Sequence, residues 1–180
     1  DLNQSSMRWD VFRMNNKSHS TITINDAKHL VKGAATLKSV IESDEELGAV
    51  IDLTEVVADQ AASAQRTVKL VQEKNLVVID VVKARPDKAA KVRWTMVTQA
   101  VPTVESNRIV LVNGGRTMYL TAAGDGAKIT YNTWSADPAD YDTPVKDIDA
   151  KNPGISLVGF EATITSNQSA TFTTTLTPKE

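Results

Sequence analysis

The side chain best suited to proton transfer near neutral pH is His19, one of two histidines in this 180-residue chain. Histidine changes charge between about pH 5 and 8, so it can act as an acid, a base or a group that neutralises a carboxylate. Arg13, Asn15 and Asn16 bring a fixed cation and two amides to the same stretch. This cluster can hold a carboxylate, and it is equally the composition of an ordinary polar loop.

Other patterns that would indicate an enzyme or a metal protein are absent from the sequence. There is no cysteine, which excludes disulfides, thiolate metal sites and cysteine nucleophiles. His29, in Asp26–His29, is interpreted as part of a hairpin turn. A zinc site would need carboxylates beside His19 and His29, and no spacing matches a metal motif. The sequence requires no cofactor and leaves a divalent metal undecided. Neither a phosphate loop nor a nucleophile elbow is present.

Asp52 and three aromatic residues each have two interpretations, whereas Trp94 has one. Asp52 is an acid on an apolar strand, either a paired structural carboxylate or a group close enough to hydrogen-bond to the His19 loop. Trp94 alternates with polar residues and is predicted to lie in the core. Tyr131, Trp134 and Tyr141 would form a sugar-stacking platform if exposed, and ordinary core and rim packing if not.

Composition predicts one soluble globular domain over residues 1–180. Hydrophobic residues make up 41%, charged residues 23%, and the net charge is -2, so nothing indicates a nucleic acid or an anionic membrane as partner. No apolar run approaches the ~20 residues needed to span a bilayer. The sequence as given shows no signal peptide.

Short runs of β-branched and apolar residues recur along the whole chain. They predict eleven strands, at Thr21–Ile24, Ala34–Ile41, Ala49–Leu53, Arg66–Gln72, Leu76–Val82, Lys91–Thr98, Arg108–Val112, Thr117–Ala122, Lys128–Trp134, Ile155–Glu161 and Ser169–Leu176. Turn residues separate them at Glu73–Asn75, Asn113–Gly115 and Gly124–Gly126. The predicted fold is therefore an all-β, antiparallel β-sandwich of ten or more strands.

Two strands and two connections carry more specific predictions. Lys91–Val97 alternates, which predicts one buried and one solvated face, whereas the unbroken apolar run Leu76–Ile79 predicts a central strand buried on both faces. Asp59–Ala64 is predicted to form a short helix or a covering loop. Ser135–Pro153 contains three prolines and five aspartates and is predicted to be a long surface loop, either a solvated connection or a functional segment.

The order of motifs along the chain resembles the heparinase II/III-like polysaccharide lyases. Residues 9–24, WDVFRMNNKSHSTITI, are similar to that family's W-x-x-F-R-x-N-x-x-x-H-N-T-L-x-I segment. Ala49–Thr54 is similar to its A-D-L-T strand, and Arg66–Val68 with Leu76–Asp80 is similar to an R-x-v…v-v-v-x-D strand pair. Asn152–Gly154, Gly159–Phe160 and the Thr-rich last strand follow in the same order.

The resemblance implies a C-terminal β-sandwich whose N-terminal helical toroid is not in this sequence. Such lyases cleave uronic-acid polysaccharides, including heparan sulfate, other glycosaminoglycans and alginate, by β-elimination. The family's active site lies between toroid and sandwich, so we expect this chain to be inactive alone. The anionic polysaccharide and the toroid are the expected partners. The expected location is periplasmic or secreted, as for such enzymes in bacteria.

By this resemblance His19 is the catalytic histidine, and Arg13 and Asn16 are substrate-contact or loop-shaping residues. Ser20 departs from the Asn that commonly follows the family's histidine, and Val57 from a common aromatic residue. Some members bind a structural metal through histidines and an aspartate, and here only His19 and His29 are present as histidines. Two other functions stay open: a carbohydrate-binding module, which predicts an exposed aromatic strip, and a structural sandwich, which predicts a uniformly polar surface.

Overall fold

The computed structural model describes residues 5–141, 143–145 and 147–179. These residues form twelve strands and five 3-10 helices of three or four residues each, and no α-helix. The strands are β1 (Ile22–Ile24), β2 (Thr36–Glu42), β3 (Glu46–Asp52), β4 (Ala61–Val71), β5 (Asn75–Ala84), β6 (Ala90–Thr98), β7 (Val101–Val104), β8 (Ile109–Asn113), β9 (Arg116–Asp125), β10 (Ile129–Trp134), β11 (Ser156–Ile164) and β12 (Ser169–Pro178). Within these described ranges no helix is long and apolar enough to cross a membrane.

The strands form two antiparallel sheets. Four strands pair in the order β1-β6-β11-β10, and eight pair in the order β2-β3-β4-β5-β12-β9-β8-β7. The two sheets share one hydrophobic core. In that core Trp94 and Phe160 of the smaller sheet stack with ring centroids 5.8 Å apart, and Phe160 lies 5.5 Å from Phe172 of the larger sheet. The predicted antiparallel β-sandwich, with Trp94 in its core, is confirmed.

Each of the eleven predicted strands is present, with ends displaced by a few residues. The turn at Glu73 is also confirmed, with positive φ at Gln72 and Glu73. The sequence missed β7, an edge strand that contains Pro102, and edge positions are where sheets tolerate proline. The helix or loop predicted at Asp59–Ala64 is wrong, because Ala61 to Ala64 begin β4 and pair with β5.

The two predictions about strand burial are each right for one part and wrong for the other: β5 is a central strand and Val92 and Trp94 of β6 are buried, but the second face of each strand differs from the prediction. β5 lies inside the larger sheet, but its outer face is open, and Val81 is 39% exposed there. For β6 the error is the reverse, because the face predicted to be solvated is buried. Its supposedly solvated face carries Arg93 and Thr95, which are both buried. Sequence periodicity gives the face of each side chain, whereas what covers that face depends on distant segments.

Irregular segments cover the outer face of the smaller sheet and form a third layer. Phe12, from the N-terminal segment, forms a second apolar cluster with Ala136 and Leu157. Tyr141 stacks on Phe12 with ring centroids 4.3 Å apart. The segment predicted as a surface loop, Ser135–Pro153, therefore packs against the stretch that carries His19. Asp142 and Lys146 of that segment lie outside the described residues.

The larger sheet extends beyond the smaller one and leaves apolar side chains uncovered. On β5, Leu76 alternates with the core residue Val78 and so points to the same face. The registers of β2 to β5 place five exposed apolar residues on this face: Leu37, Val40, Leu47, Leu70 and Leu76. Their exposure ranges from 37% to 64%. We refer to these five residues as the uncovered face.

Candidate functional site

His19 lies at the end of a chain segment folded into two consecutive 3-10 turns, Phe12–Met14 and Asn16–Ser18. The side-chain oxygen of Asn15 caps the second turn by accepting a hydrogen bond from the Lys17 amide at 3.0 Å. The Ser18 hydroxyl donates to the Phe12 carbonyl at 2.7 Å. These polar residues supply local hydrogen bonds to a backbone that has no strand partner, which explains the composition of the stretch.

Asn16 joins this segment to the strand and turn that follow. It is buried, and its Nδ2 donates to Thr23 Oγ1 at 2.9 Å and to the Ala27 carbonyl at 3.1 Å. Its Oδ1 accepts from the His29 amide at 2.8 Å. The amide group is therefore engaged in holding the loop, and it also borders the cleft described below.

His19 is exposed, and its ring orientation is fixed by one hydrogen bond to its own loop. Nε2 lies 3.1 Å from the Arg13 carbonyl oxygen. A carbonyl can only accept, so this contact assigns the ring proton to Nε2. Nδ1 has no hydrogen bond to any residue in the described part of the chain. His19 therefore presents a nitrogen that can accept a proton or, once protonated, donate to an anion.

The residues after His19 are attached to both sheets. The Ser20 hydroxyl accepts from the Val97 amide at 3.1 Å, and the Thr95 amide donates to the Thr21 carbonyl at 3.0 Å. On the other side, Arg66 of β4 donates from Nη1 to the Ser20 carbonyl at 3.3 Å. His19 is thus an exposed side chain on an anchored backbone.

A cleft of about 370 Å³ opens beside His19, between the N-terminal segment and the chain that follows β1. Its lining combines both histidines with apolar side chains: Trp9, Met14, His19, His29, Leu30 and Val31. His29 Nε2 lies 2.8 Å from the Ile22 carbonyl oxygen, and burial lowers the pKa of His29, with Arg66 and His19 adding to the effect. The interpretation of His29 as part of a hairpin turn is wrong, because β1 pairs with β6 and β2 pairs with β3. The Asn16 contact that positions His29 is tertiary and is not visible in the sequence.

Three cations on the segments that border the cleft are paired with carboxylates. Arg13 Nε lies 3.3 Å from Asp149 Oδ1 on the long loop, and Lys17 Nζ lies 2.8 Å from Asp26 Oδ2. Lys28 pairs with Asp10. Arg13 thus contributes its backbone carbonyl to His19 and its side chain to the packing of the long loop.

Asp52 does not approach the His19 loop, so the interpretation as a nearby hydrogen-bond partner is wrong. Its Oδ1 accepts from the Thr54 amide at 2.9 Å, and hydrogen bonds from Thr54 lower the pKa of this carboxyl. Asp52 ends β3 and shapes the turn that follows it, as a structural acid does.

The donor set does not fit a metal site built from histidines and an aspartate. His29 uses Nε2 on the Ile22 carbonyl, and Asp52 is engaged with Thr54. Across the described ranges no group of three or more His, Asp or Glu side chains is placed to hold a metal ion.

The three aromatic residues of the alternative sugar platform are all engaged in packing. The Tyr131 hydroxyl contacts the backbone of Ala122, and the Trp134 ring lies under the Arg93 guanidinium at 5.3 Å. Tyr141 stacks on Phe12, and burial raises the pKa of its hydroxyl. These three residues do not form an exposed strip.

Solved structures with the same fold come from much longer chains. The heparan sulfate lyase HepC from Pedobacter heparinus matches with a TM-score of 0.66 and 12% identity over 100% of this chain and 27% of its own. The heparinase III that is the BT4657 gene product matches with a TM-score of 0.64 and 11% identity, over 91% and 24%. This chain therefore spans about a quarter of their length.

At these identities the structural likeness establishes the fold alone. A search of curated protein sequences gives no significant match. The family model described as Heparinase II/III-like, C-terminal, matches residues 2–171, nearly the whole chain. This chain belongs to the Heparinase II/III-like C-terminal domain family.

Proposed function

We propose that this chain is the C-terminal sandwich of a polysaccharide lyase that cleaves uronic-acid polysaccharides by β-elimination. The substrate class is heparan sulfate or a related glycosaminoglycan, with alginate as the alternative. His19 is the catalytic residue that the sandwich contributes, and the rest of the active site comes from a helical toroid in the same parent chain. The proposed location is periplasmic or secreted, where such polymers are met.

The observation that carries this proposal is the setting of His19. His19 is exposed beside a cleft, and its Nδ1 has no hydrogen bond to the described residues. The next residue, Ser20, is held by contacts from both sheets. Preorganised polar groups of this kind stabilise developing charge without a cost of reorganisation in the transition state.

The chemistry requires charge control at the uronate. In β-elimination a base removes the C5 proton, a double bond forms between C4 and C5, and the C4–O bond breaks as its oxygen receives a proton. Removal of the C5 proton places negative charge on the neighbouring carboxylate. A protonated His19 donating from Nδ1 to that carboxylate would favour this step. Because the loop cations are paired with acids, the imidazole is the group best placed to supply this charge.

The uncovered face supports a partner domain in the parent chain. Arg66, which contacts Ser20, lies opposite Ile51 in the β3–β4 register, and Ile51 lies opposite Leu37. The exposed apolar face thus begins two strands away from Arg66, on the same face of the sheet. Contiguous exposed apolar surface marks an interaction site, and about three quarters of each related chain lies outside the part that this chain matches. The proposed occupant is the toroid.

The test is a lyase assay on the parent protein, using ultraviolet absorbance of the unsaturated product and a panel of uronic-acid polysaccharides. We expect activity on one of them. His19→Ala should lower turnover at least about tenfold, because general acid–base or charge-neutralising groups contribute at least that much.

Lys128→Ala is the control, because Lys128 is exposed in the turn between β9 and β10, remote in sequence from the cleft. It should retain full turnover. Wild-type turnover in His19→Ala would remove His19 from the mechanism. A folded parent protein that is silent on the whole panel would refute lyase activity on these polymers, and binding to the same panel would then indicate a carbohydrate-binding module.

A further inference from the structure

We infer that Arg66 is a positioning residue for His19, held in place by a fully buried carboxylate that spans the two sheets. This inference deepens the proposed function and rests on it for the catalytic part. It concerns three residues from three strands, Arg66 on β4, Asp80 on β5 and Trp94 on β6.

Asp80 is the centre of this arrangement. It is fully buried, and a buried carboxylate must be paired and hydrogen-bonded to remain charged. Arg66 Nε lies 2.7 Å from its Oδ1, and Arg66 Nη2 lies 3.0 Å from its Oδ2. Trp94 Nε1 donates to the same Oδ2 at 3.0 Å. The carboxylate therefore accepts three hydrogen bonds. The two from Arg66 form a bidentate pair that fixes both the position and the orientation of the guanidinium group.

The guanidinium retains one nitrogen for another partner. Nη1 donates to the carbonyl of Ser20, the residue next to His19, at 3.3 Å. The bidentate pair leaves Arg66 little freedom to follow the loop, so the loop must conform to Arg66. The ion pair thus transmits the rigidity of the core to the backbone of His19.

Arg66 acts with the other anchors of this turn. The Val97 amide holds the Ser20 hydroxyl, and the Arg93 Nη2 donates to the Lys17 carbonyl at 3.0 Å. Each of those contacts comes from β6, in the smaller sheet. Arg66 is the contact from the larger sheet, and it therefore sets the position of the His19 loop relative to the uncovered face.

The test compares Arg66→Met with Lys69→Met in the full parent protein. Lys69 is on the same strand and pairs with Glu46 at 2.6 Å, but it lies three residues away and so points to the opposite face. We expect Arg66→Met to increase amide hydrogen exchange in the peptide covering residues 16–21 by about tenfold or more. Lys69→Met should leave that peptide unchanged.

The catalytic readout is the split between kcat and KM. A misplaced catalytic group should lower kcat by about 10- to 100-fold with a smaller change in KM. Arg66→Lys should not restore kcat, because an ammonium cannot satisfy both Asp80 oxygens and the Ser20 carbonyl together. In a His19→Ala background Arg66→Met should have no further effect on kcat, since it acts through His19.

The outcomes separate the two proposals. Faster exchange in a parent protein without lyase activity would support the positioning of the loop by Arg66 and refute the lyase proposal. Unchanged exchange and unchanged kcat in a folded Arg66→Met protein would overturn the inference. An equal loss of kcat with and without His19 would also overturn it, because that result means general destabilisation.

Discussion

The two histidines of the cleft differ in burial, and this difference has a consequence for stability. His29 lies behind the loop, donates from Nε2 to the Ile22 carbonyl, and has a pKa lowered from 6.5 chiefly by burial. The unfolded chain then takes up a proton at a pH where the folded protein does not. The contribution of neutral His29 to stability is therefore complete above pH 6.5. It declines as the pH falls from there towards the lower pKa that His29 has in the folded protein.

The corresponding prediction concerns His29→Gln, which keeps an N–H donor for Ile22 but does not titrate. We expect the free energy of unfolding of the wild type to fall as the pH decreases below 6.5, and the variant to lose part of that slope. Chemical denaturation at several pH values measures it. The difference between the two proteins well above pH 6.5 gives the cost of the substitution itself. Parallel curves across the acid range would show that His29 is not the titrating group.

Among residues, the sequence singles out His19 through the resemblance to the family's motif, and its catalytic role stays a prediction. Its capacity for proton transfer is intrinsic to the imidazole. The loop around it is built from local hydrogen bonds made by the side chains of Asn15 and Ser18, which are residue types typical of such loops. The predicted substrate contacts of Arg13 and Asn16 stay predictions, and the structure shows their loop-shaping roles. The pairing of Arg66 with Asp80 was also within reach, because equal steps from the turn at Glu73 bring the two opposite each other.

At the scale of elements, the alternation of apolar and polar residues located the strands. It failed where strand pairing or covering segments, and not local sequence, determine the structure. Ala61–Ala64 carries no β-branched residue, yet it is drawn into β4 by pairing with β5. β7 lacks alternating apolar and polar residues because it buries no face in the core: Val101 is 70% exposed at the sheet edge. The buried outer face of β6 depends on a layer contributed by residues far away in sequence, which no local pattern encodes.

The pairing of β11 with β6 requires a glycine at position 159. Gly159 pairs with Thr95, and a Cβ at this position would overlap the carbonyl oxygen of Trp94. Gly159→Ala should therefore push the two strands apart. We expect it to lower the free energy of unfolding by several kcal/mol, the upper end of the range for overpacking substitutions. Because β6 also supplies the amides that hold Ser20 and Thr21, exchange at residues 20–21 should rise as well.

Gly114→Ala is the matched control for Gly159→Ala. Gly114 has a positive φ but nothing within 4 Å of a Cβ, so its cost should be only the ~1–2 kcal/mol of a left-handed residue. Thermal unfolding of the parent protein and both variants measures the difference. Equal losses for the two variants would mean that β11 moves away from β6 without penalty.

For the whole molecule, the uncovered face indicates which part of the sandwich is an interface. Leu47 lies at the middle of that face, on β3, and is 54% exposed. If the toroid packs there in the parent chain, Leu47→Lys buries an unpaired charge, which costs several kcal/mol. We expect the parent protein carrying Leu47→Lys to show looser domains: a larger radius of gyration by X-ray scattering, faster limited proteolysis between the domains, and lower lyase activity.

Val101→Lys gives the matched comparison, because Val101 is 70% exposed on β7, at the opposite edge of the same sheet. This variant should keep the scattering profile and the activity of the wild type, since nothing in the proposal covers that edge. A change in apparent mass for Leu47→Lys, from a dimer to a monomer with activity retained, would instead assign the uncovered face to a second copy of the chain. A wild-type profile for Leu47→Lys in every assay would show that the face stays solvated, and the partner domain would then have to contact the sandwich elsewhere around the His19 loop.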